Sequence, residues 1–304
     1  MPGASPQTPG IFMASVMGIA AISREAPVLI AGPTASGKSG LAMEIAARDG
    51  RVVVNADALQ VYANWRVLTA RPSAAEAAAL PHALYGHVAR DRAWSVGDWL
   101  RDLSPLLDRP VVIVGGTGLY FQALTRGLAE IPATLPAVRA EADRRRAAEG
   151  FGALLAELDS ETAAKIDRQN GVRVQRAWEV LRATGRGLAS WQRGTGAPLL
   201  PVTQVEALML VPAVPWLDAR IAQRFGVMVK QGALEEARAE LPLWNPAFPS
   251  AKAIGAPELI AHLRGEMTLP EAEAAAILAS RQYAKRQRTW FRSHRAGWRV
   301  LDLP

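Results

Sequence analysis

One octapeptide gives the strongest indication of fold and ligand: Gly32-Pro33-Thr34-Ala35-Ser36-Gly37-Lys38-Ser39 fits the pattern G-x-x-x-x-G-K-[ST]. The apolar run Val28–Ala31 precedes it and predicts a buried strand. Residues 40–47 follow it with a helical pattern. A strand, a loop and a helix in this order are the context that a phosphate-binding loop requires.

The residue types in this loop predict its ligand. Gly32 and Gly37 are expected to let the backbone curl so that successive N–H groups point inward, and Lys38 adds a cation. The Ser39 hydroxyl can hold Mg²⁺, and the positive end of the following helix faces the same point. We therefore predict a diphosphate or triphosphate ligand, although the loop alone leaves open which compound it is.

Composition restricts the class of protein. The chain has 304 residues, of which 50% are hydrophobic and 21% charged, as in a globular protein. It contains no cysteine, which excludes disulfides, thiolate catalysis and Cys-ligated zinc. Its four histidines show no H-E-x-x-H or paired spacing, so we expect no zinc or iron centre held by the protein.

The basic residues suggest an anionic partner. The net charge is +7, and the 35 basic side chains comprise 30 arginines and only five lysines. Arginine binds phosphate with two parallel hydrogen bonds and stacks on bases, which favours nucleic acid as a partner. A genomic bias toward arginine codons explains the same composition, and composition alone does not separate the two.

Residues 1–26 are interpreted as a flexible N-terminal extension. Their apolar run from 11 to 22 is too short to span a bilayer, and no Lys or Arg precedes Arg24 to provide the positive flank of a signal peptide. We expect a cytoplasmic protein with no membrane partner.

The rest of the chain predicts an α/β fold. Strand-like runs at 51–54, 110–114 and 207–211 alternate with helical sequence, which predicts a P-loop NTPase-like parallel sheet with helices on both faces. Because ligands bind beyond the carboxyl ends of such strands, Asp57 and Thr117 are expected beside the phosphate loop. We assign 27–128 and 201–304 to this core and 129–200 to a helical insertion, and expect only helices after residue 211.

The C-terminal region carries a basic helix face. Thr268 and Glu271 form a capping-box pattern that opens a long helix. The segment 281–292 contains no acidic residue, and four of its cations share an arc of roughly 60° on a helix: Arg281, Lys285, Arg288 and Arg292. This favours phosphate groups of a nucleic acid over an ordinary solvated surface. The aromatic residues Tyr283, Trp290 and Phe291 are interpreted as core anchors.

One expected feature is missing. The strand at 111–114 ends in Gly115-Gly116, so no acidic residue stands there to bind the metal and activate water as in a motor ATPase.

Several strings together resemble the bacterial tRNA dimethylallyltransferases. They are the phosphate loop, NADALQVY at 55–62, TARP at 69–72, VGGTGLY at 114–120, RVQRAWE at 173–179 and YAKRQRTWFR at 283–292. The resemblance covers about residues 27–292. GGTGLY and KRQ-x-TWFR are specific to that family, whereas the phosphate loop alone is not.

The resemblance implies a reaction. Members transfer a dimethylallyl group from dimethylallyl diphosphate to the exocyclic amine of the adenine 3′ to the anticodon, in tRNAs that read codons beginning with U. The phosphate loop would hold the donor diphosphate, together with Mg²⁺ at Ser39, rather than ATP. The residues implied in donor binding are Gly32, Thr34, Ala35, Ser36, Gly37, Lys38 and Ser39.

Three residues are candidates for catalysis. An adenine amine is a poor nucleophile, so a carboxylate that takes its proton as the C–N bond forms would help, and Asp57 is the candidate. By resemblance, Arg224 would stabilise the departing diphosphate and Thr117 would contact the diphosphate or the adenine. Structural alternatives remain: Asp57 caps a turn, Thr117 caps a helix, and Arg224 forms a surface ion pair.

The resemblance also implies a tRNA surface, because the adenine must swing out of the anticodon loop to reach a buried donor. The residues implied are Asp57, Ala58, Leu59, Gln60, Arg139, Arg173, Gln175, Arg176, Lys285, Arg286, Arg288 and Arg292. The chain departs from the family at Ala58 (usually Ser), Leu68 (usually Gly), Asn170 (usually Asp) and Ala256-Pro257, where a ring and a cation are usual. We expect a monomer with no obligatory protein partner.

Two other functions use the same features. A small-molecule kinase would place ATP in the loop, and a nucleotide-gated RNA-binding module would bind tRNA without transforming it.

Overall fold

A computed structural model of the chain describes residues 21–304. Most of the predicted N-terminal extension, residues 1–20, lies outside the described residues. The remainder of that segment contacts the core: Ile22 is buried, and the carbonyl oxygens of Ser23 and Ala26 accept hydrogen bonds from the Arg51 guanidinium at 2.8 and 2.7 Å. The packed part of the chain therefore begins before residue 27.

The described chain forms one sheet of six parallel strands in the order β3-β2-β4-β1-β5-β6. In the register, Val28 of β1 lies between Val112 of β4 and Glu206 of β5. The predicted parallel sheet is confirmed. The strands are β1 Val28–Ala31, β2 Val52–Asn55, β3 His82–Ala83, β4 Val111–Gly115, β5 Glu206–Pro212 and β6 Arg299–Leu303.

Two edge strands differ from the sequence-based expectation. The prediction that only helices follow residue 211 is wrong, because β6 pairs in parallel with β5 and places Leu301 opposite Leu210. At the other edge, β3 has only two residues. Edge strands are short and partly exposed, so they lack the continuous apolar run that marks the central strands.

Helices cover both faces of the sheet, as predicted. Val28 and Ile30 of β1 point to one face, where they belong to the same cluster as Leu41 and Ile45. Leu29 and Ala31 point to the other face with Trp99 and Phe121, because successive strand residues alternate in direction. The core helices are α1 Lys38–Asp49, α2 Ala74–Ala79, α3 Val96–Leu103, α4 Gly118–Arg126, and then, after the second unit described below, α10 Val214–Met228, α11 Leu234–Glu240, α12 Ala256–Leu263 and α13 Leu269–Ser293.

Helix α13 is the longest of the described helices, with 25 residues, and begins as predicted. The Thr268 side chain accepts from the Glu271 N–H, and the Glu271 carboxylate accepts from the Thr268 N–H, which completes the capping box. Its buried face includes Ala276, Ala284, Gln287 and Phe291. This face holds the helix against the core, and the cations of the same helix lie elsewhere on its surface.

Residues 126–199 form a second compact unit, separate from the unit of residues 21–125 and 200–304. The sequence-based boundaries of the insertion were 129 and 200. The unit contains α5 Pro136–Glu149, α6 Phe151–Ala156, α7 Ser160–Lys165, α8 Gly171–Thr184 and α9 Leu188–Arg193, and has its own apolar core around Leu154, Val174 and Trp178.

In the described part of the chain, every helix is too short or too polar to cross a membrane.

Candidate active site

The phosphate loop joins β1 to α1 and curls at two positions. Ala35 and Gly37 have φ angles of 61° and 89°, in the left-handed region that favours glycine. Gly32 does not adopt a positive φ. A Cβ there would lie 3.0 Å from Ser36 Oγ and 3.1 Å from Leu210 Cβ, so glycine allows the loop to pack closely against β5. The expectation that Gly32 supplies the curl is therefore corrected, whereas Gly37 does supply it.

Lys38 is the first residue of α1 and lies inside the loop, where its Nζ donates to the Pro33 carbonyl at 3.1 Å. Burial lowers the pKa of Lys38 to about 8; the nearby Asp57 carboxylate opposes this shift and the Arg224 cation adds to it. The first N–H groups of α1, next to this ammonium, have no partner within their helix. A bound phosphate would satisfy both groups.

Two arginines on α10 contact the loop. Arg224 Nη1 donates to Thr34 Oγ1 at 3.3 Å, and Arg220, one turn earlier, donates through Nε to the Ala35 carbonyl at 3.1 Å. Burial lowers the pKa of Arg224 from its ordinary value, and the Asp57 charge works in the opposite direction. Arg224 therefore lies within the site rather than in a surface ion pair. Arg220 was not among the predicted residues, but its spacing of four from Arg224 places both on one helix face.

Asp57 follows β2 and lines the pocket beside the loop, together with Thr34 and Arg224. Its backbone N–H donates to the buried Asn55 side chain at 2.8 Å, and its Oδ1 accepts from the Leu59 N–H at 3.0 Å. The carboxylate thus stabilises the turn that positions it. The turn-capping reading and the catalytic reading of this residue are compatible.

Thr117 connects the ends of β2 and β4. Its Oγ1 accepts from the Ala58 N–H at 3.0 Å, and its carbonyl accepts from the Tyr120 N–H at 3.0 Å at the start of α4. The Thr117 hydroxyl therefore fixes the segment that follows Asp57.

Helix α13 contributes two residues that were not predicted for the site. Gln287 is 5% exposed; its Oε1 accepts from the Thr34 N–H at 2.8 Å, and its Nε2 donates to the Gly116 carbonyl at 3.0 Å. This amide joins the phosphate loop to the turn after β4. Tyr283 lines the pocket, and its hydroxyl lies near Thr117 and Gln287. Burial raises its pKa, and the Asp57 charge acts in the same direction.

The interpretation of Tyr283 as only a core anchor is corrected by this position. The spacing of Ser280, Tyr283 and Gln287 places them on one face of a helix, and this pattern was the available signal. Phe291 is buried in the core, and Trp290 packs against the same cluster, as predicted.

The pocket is lined by both polar and apolar side chains. Thr34, Asp57 and Arg224 are polar lining residues, and Arg224 contacts Thr34 of the phosphate loop. The remaining wall is mainly apolar and includes Leu59, Leu68, Ile221, Phe225, Met228 and Ile254. This arrangement suits a ligand with an anionic head and a short apolar group.

The metal prediction depends on Ser39, the second residue of α1. Residues 21–304 contain no cluster of three or more His, Asp or Glu side chains able to hold a metal ion. The donor set nevertheless fits Mg²⁺, which is commonly held by one or two protein oxygens, ligand phosphates and water.

The predicted tRNA-binding residues of the sheet-containing unit differ in exposure. Lys285, Arg286 and Arg292 are exposed on α13, and Arg288 is half-buried. Gln60 instead donates its side-chain amide to the Thr69 and Ala70 carbonyls at 2.8 and 3.1 Å. Leu59 and Asp57 line the pocket, and Ala58 lies between them.

In the second unit, Arg173 is exposed and Arg139 forms an ion pair with the buried Glu179 at 2.9 Å. Arg176 contacts the Thr134 hydroxyl and lies 3.8 Å from the Glu179 carboxylate. Gln175 is only 7% exposed and donates to the Asp143 and Glu179 carboxylates at 2.6 and 3.1 Å. Its prediction as a direct tRNA contact is corrected: this side chain packs inside the helical unit.

These features define a phosphate-loop α/β protein whose pocket combines residues of the loop with a carboxylate and an apolar wall. A family model described as IPP transferase matches residues 60–294, and one described as Isopentenyl transferase matches residues 26–83. A tRNA dimethylallyltransferase of Cereibacter sphaeroides is 64% identical over 93% of this chain and 91% of that protein.

Solved structures agree with this match. The full-length tRNA isopentenylpyrophosphate transferase from Bacillus halodurans is 32% identical with a TM-score of 0.63, covering 91% of this chain and 90% of that one. A eukaryotic dimethylallyltransferase acting on tRNA shares the fold, with a TM-score of 0.75 at 22% identity over 91% of this chain and 73% of that one. The chain therefore belongs to the tRNA dimethylallyltransferases of the IPP transferase family. The resemblance predicted from the sequence is confirmed.

Proposed function

We propose that the protein transfers a dimethylallyl group from dimethylallyl diphosphate to the exocyclic amine of the adenine 3′ to the anticodon, in tRNAs reading codons that begin with U. One observation carries the proposal: the Asp57 carboxylate, the Arg224 guanidinium and the phosphate-loop residue Thr34 line one pocket whose other wall is apolar. The apolar wall suits the short hydrocarbon chain of a prenyl donor. The matched relatives support prenyl transfer over the kinase alternative.

The donor diphosphate would lie in the loop. Lys38 and Arg224 carry the charges, and the N–H groups at the start of α1 face the same point. As the bond between the allylic carbon and oxygen breaks, negative charge collects on the departing diphosphate, and these groups stabilise it. Mg²⁺, held by Ser39 and the diphosphate oxygens, would add Lewis-acid stabilisation of the same charge.

The acceptor adenine would approach from the side of Asp57. Its amine nitrogen forms the bond to the allylic carbon, and the amine proton passes to the Asp57 carboxylate. The Thr117 hydroxyl accepts a hydrogen bond from the Ala58 N–H and so holds the segment that follows Asp57. Thr117 therefore helps to position the Asp57 carboxylate. Diphosphate leaves, and the products are alkylated tRNA and a proton that Asp57 returns to solvent.

The exposed cations of α13 would bind the phosphate backbone of the anticodon stem-loop. Arg139, Arg173 and Arg176 of the helical unit are proposed as further contacts. We also propose that the protein acts in the cytoplasm as a monomer, without a membrane or an obligatory protein partner.

The test combines labelled dimethylallyl diphosphate with an unmodified tRNA that reads a U-initial codon. We expect label in the tRNA at the adenine 3′ to the anticodon. Asp57→Ala is expected to lower kcat by about 10²–10⁴-fold, the usual contribution of a general base, with tRNA affinity nearly unchanged. Full activity of this variant would refute the assigned base. Conversion of ATP to ADP with a small molecule, and no label in tRNA, would instead establish a kinase.

A further inference from the structure

The apolar part of the pocket wall includes a side chain that the resemblance does not supply. Leu68 stands where the family usually has glycine, lines the pocket and is 5% exposed. It belongs to a buried cluster with Phe225 and Met228. Leu68 therefore belongs to the apolar part of the pocket wall, together with side chains of α10, the helix whose Arg224 contacts the phosphate loop.

The backbone at Leu68 is anchored. The N–H groups of Val67 and Leu68 donate to the two oxygens of the Glu236 carboxylate at 3.0 and 2.9 Å, and the Arg66 N–H also donates to this group. The three consecutive backbone N–H groups of residues 66–68 therefore hold this segment to α11. A side chain removed at this position leaves the backbone in place, so the vacated volume opens toward the pocket.

The Leu68 side chain is confined as well. A Cβ built on Gly255 would lie 2.7 Å from Leu68 Cδ1 and 2.9 Å from Phe225 Cε2, which shows how closely these groups approach the backbone of residue 255. Gly255 has a φ of 95°, a conformation suited to glycine. Since the leucine is held between this backbone and the pocket, a longer ligand does not displace it easily.

We propose that Leu68 sets the maximum length of the donor's apolar chain, and that the protein selects five-carbon allylic diphosphates by excluding longer homologues. This inference rests on the proposed function, because it takes the pocket to be the donor site. An added carbon at the branched end of the donor meets the Leu68 side chain. The diphosphate, held in the loop, cannot retreat to relieve the contact.

The experiment compares dimethylallyl diphosphate with 3-methylpent-2-enyl diphosphate, which has one more carbon at the branched end. We expect the wild-type kcat/KM for the longer donor to be about tenfold lower, within the range for one methylene in an apolar pocket. Leu68→Ala should bring the two values within about twofold. Leu259→Ala is the matched control, because Leu259 is fully buried in the same cluster and does not line the pocket; its ratio should equal that of the wild type.

An unchanged ratio in Leu68→Ala, with the folded state verified by circular dichroism, overturns the inference, as does equal use of both donors by the wild type. If Leu68→Ala does not fold, Leu68→Val removes one methylene and should reduce the discrimination several-fold. Calorimetric binding of the two diphosphates gives the same comparison without turnover. A protein that discriminates between them in binding but labels no tRNA would refute the proposed function and retain the role of Leu68.

Discussion

At the scale of single residues, the site contains a partly buried cation, Lys38, whose charge is unfavourable until an anionic ligand binds. Burial lowers the pKa of Lys38 to about 8 from an ordinary value of 10.5. Below pH 8 the side chain is charged in the folded and the unfolded protein, so the cost of burying the charge is fully present. As pH rises from 8 to 10.5, the folded protein releases its proton first and the cost disappears.

We therefore predict that Lys38→Met is more stable than the wild type at pH 7 in the absence of ligand, by on the order of 3 kcal/mol. The difference should shrink as pH rises from 8 to 10.5. Urea denaturation of both proteins at several pH values measures it. Added diphosphate should reverse the order at pH 7, because only the wild type offers the ammonium. If the difference in free energy of unfolding between the two proteins does not change with pH, this account of Lys38 is contradicted.

At the scale of elements, α13 both supports the phosphate loop and carries the exposed cations that are proposed to bind tRNA. Its inward face places Gln287 between the phosphate loop and the turn after β4, and the same helix presents Lys285 and Arg292 to solvent. Since the helix is continuous from Leu269 to Ser293, a change in its position moves both faces together.

Gln287→Ala is predicted to leave the Thr34 N–H and the Gly116 carbonyl without partners. Each unsatisfied buried group costs about 1–3 kcal/mol, so the variant should be less stable and should show a higher KM for the donor. Steady-state kinetics and thermal denaturation test this. Gln282→Ala, at an exposed position of the same helix, serves as the control and should behave as the wild type does. Unaltered donor KM in Gln287→Ala would show that the loop does not depend on this amide.

At the scale of the whole molecule, a net charge of +7 predicts electrostatic binding of tRNA. Binding should weaken steeply with salt, because each neutralised phosphate releases condensed counterions. Arg288→Gln with Arg292→Gln should lower the slope of log K against log salt by up to about two. Filter binding between 50 and 200 mM salt provides the measurement.

Arg101→Gln is the control for net charge, since Arg101 is exposed on α3 and pairs with Asp98. It should leave the slope almost unchanged. An equal effect of all three substitutions would indicate nonspecific attraction rather than a binding face on α13.

Much of the fold and part of the site follow from local sequence. The central strands are continuous apolar runs, and the phosphate loop and the capping box of α13 are short patterns with one structural solution. The edge strand β6 was missed because Arg299 and Asp302 interrupt its apolar pattern. Its partner strand β5 also lies almost a hundred residues earlier in the chain, so no local pattern indicates the pairing. The role of Gln175 was misassigned because a glutamine within a basic string carries no sign of burial.

The sequence by itself determined the phosphate loop, the parallel sheet and the family, because each depends on residues that are neighbours along the chain or on strings that identify relatives. Only the tertiary structure decided that Gln287 and Arg220 contact the loop, and that Tyr283 and Leu68 line the pocket beside it. These contacts join segments that are far apart in sequence. Their partners are set by how the helices pack on the sheet, which a local pattern does not encode.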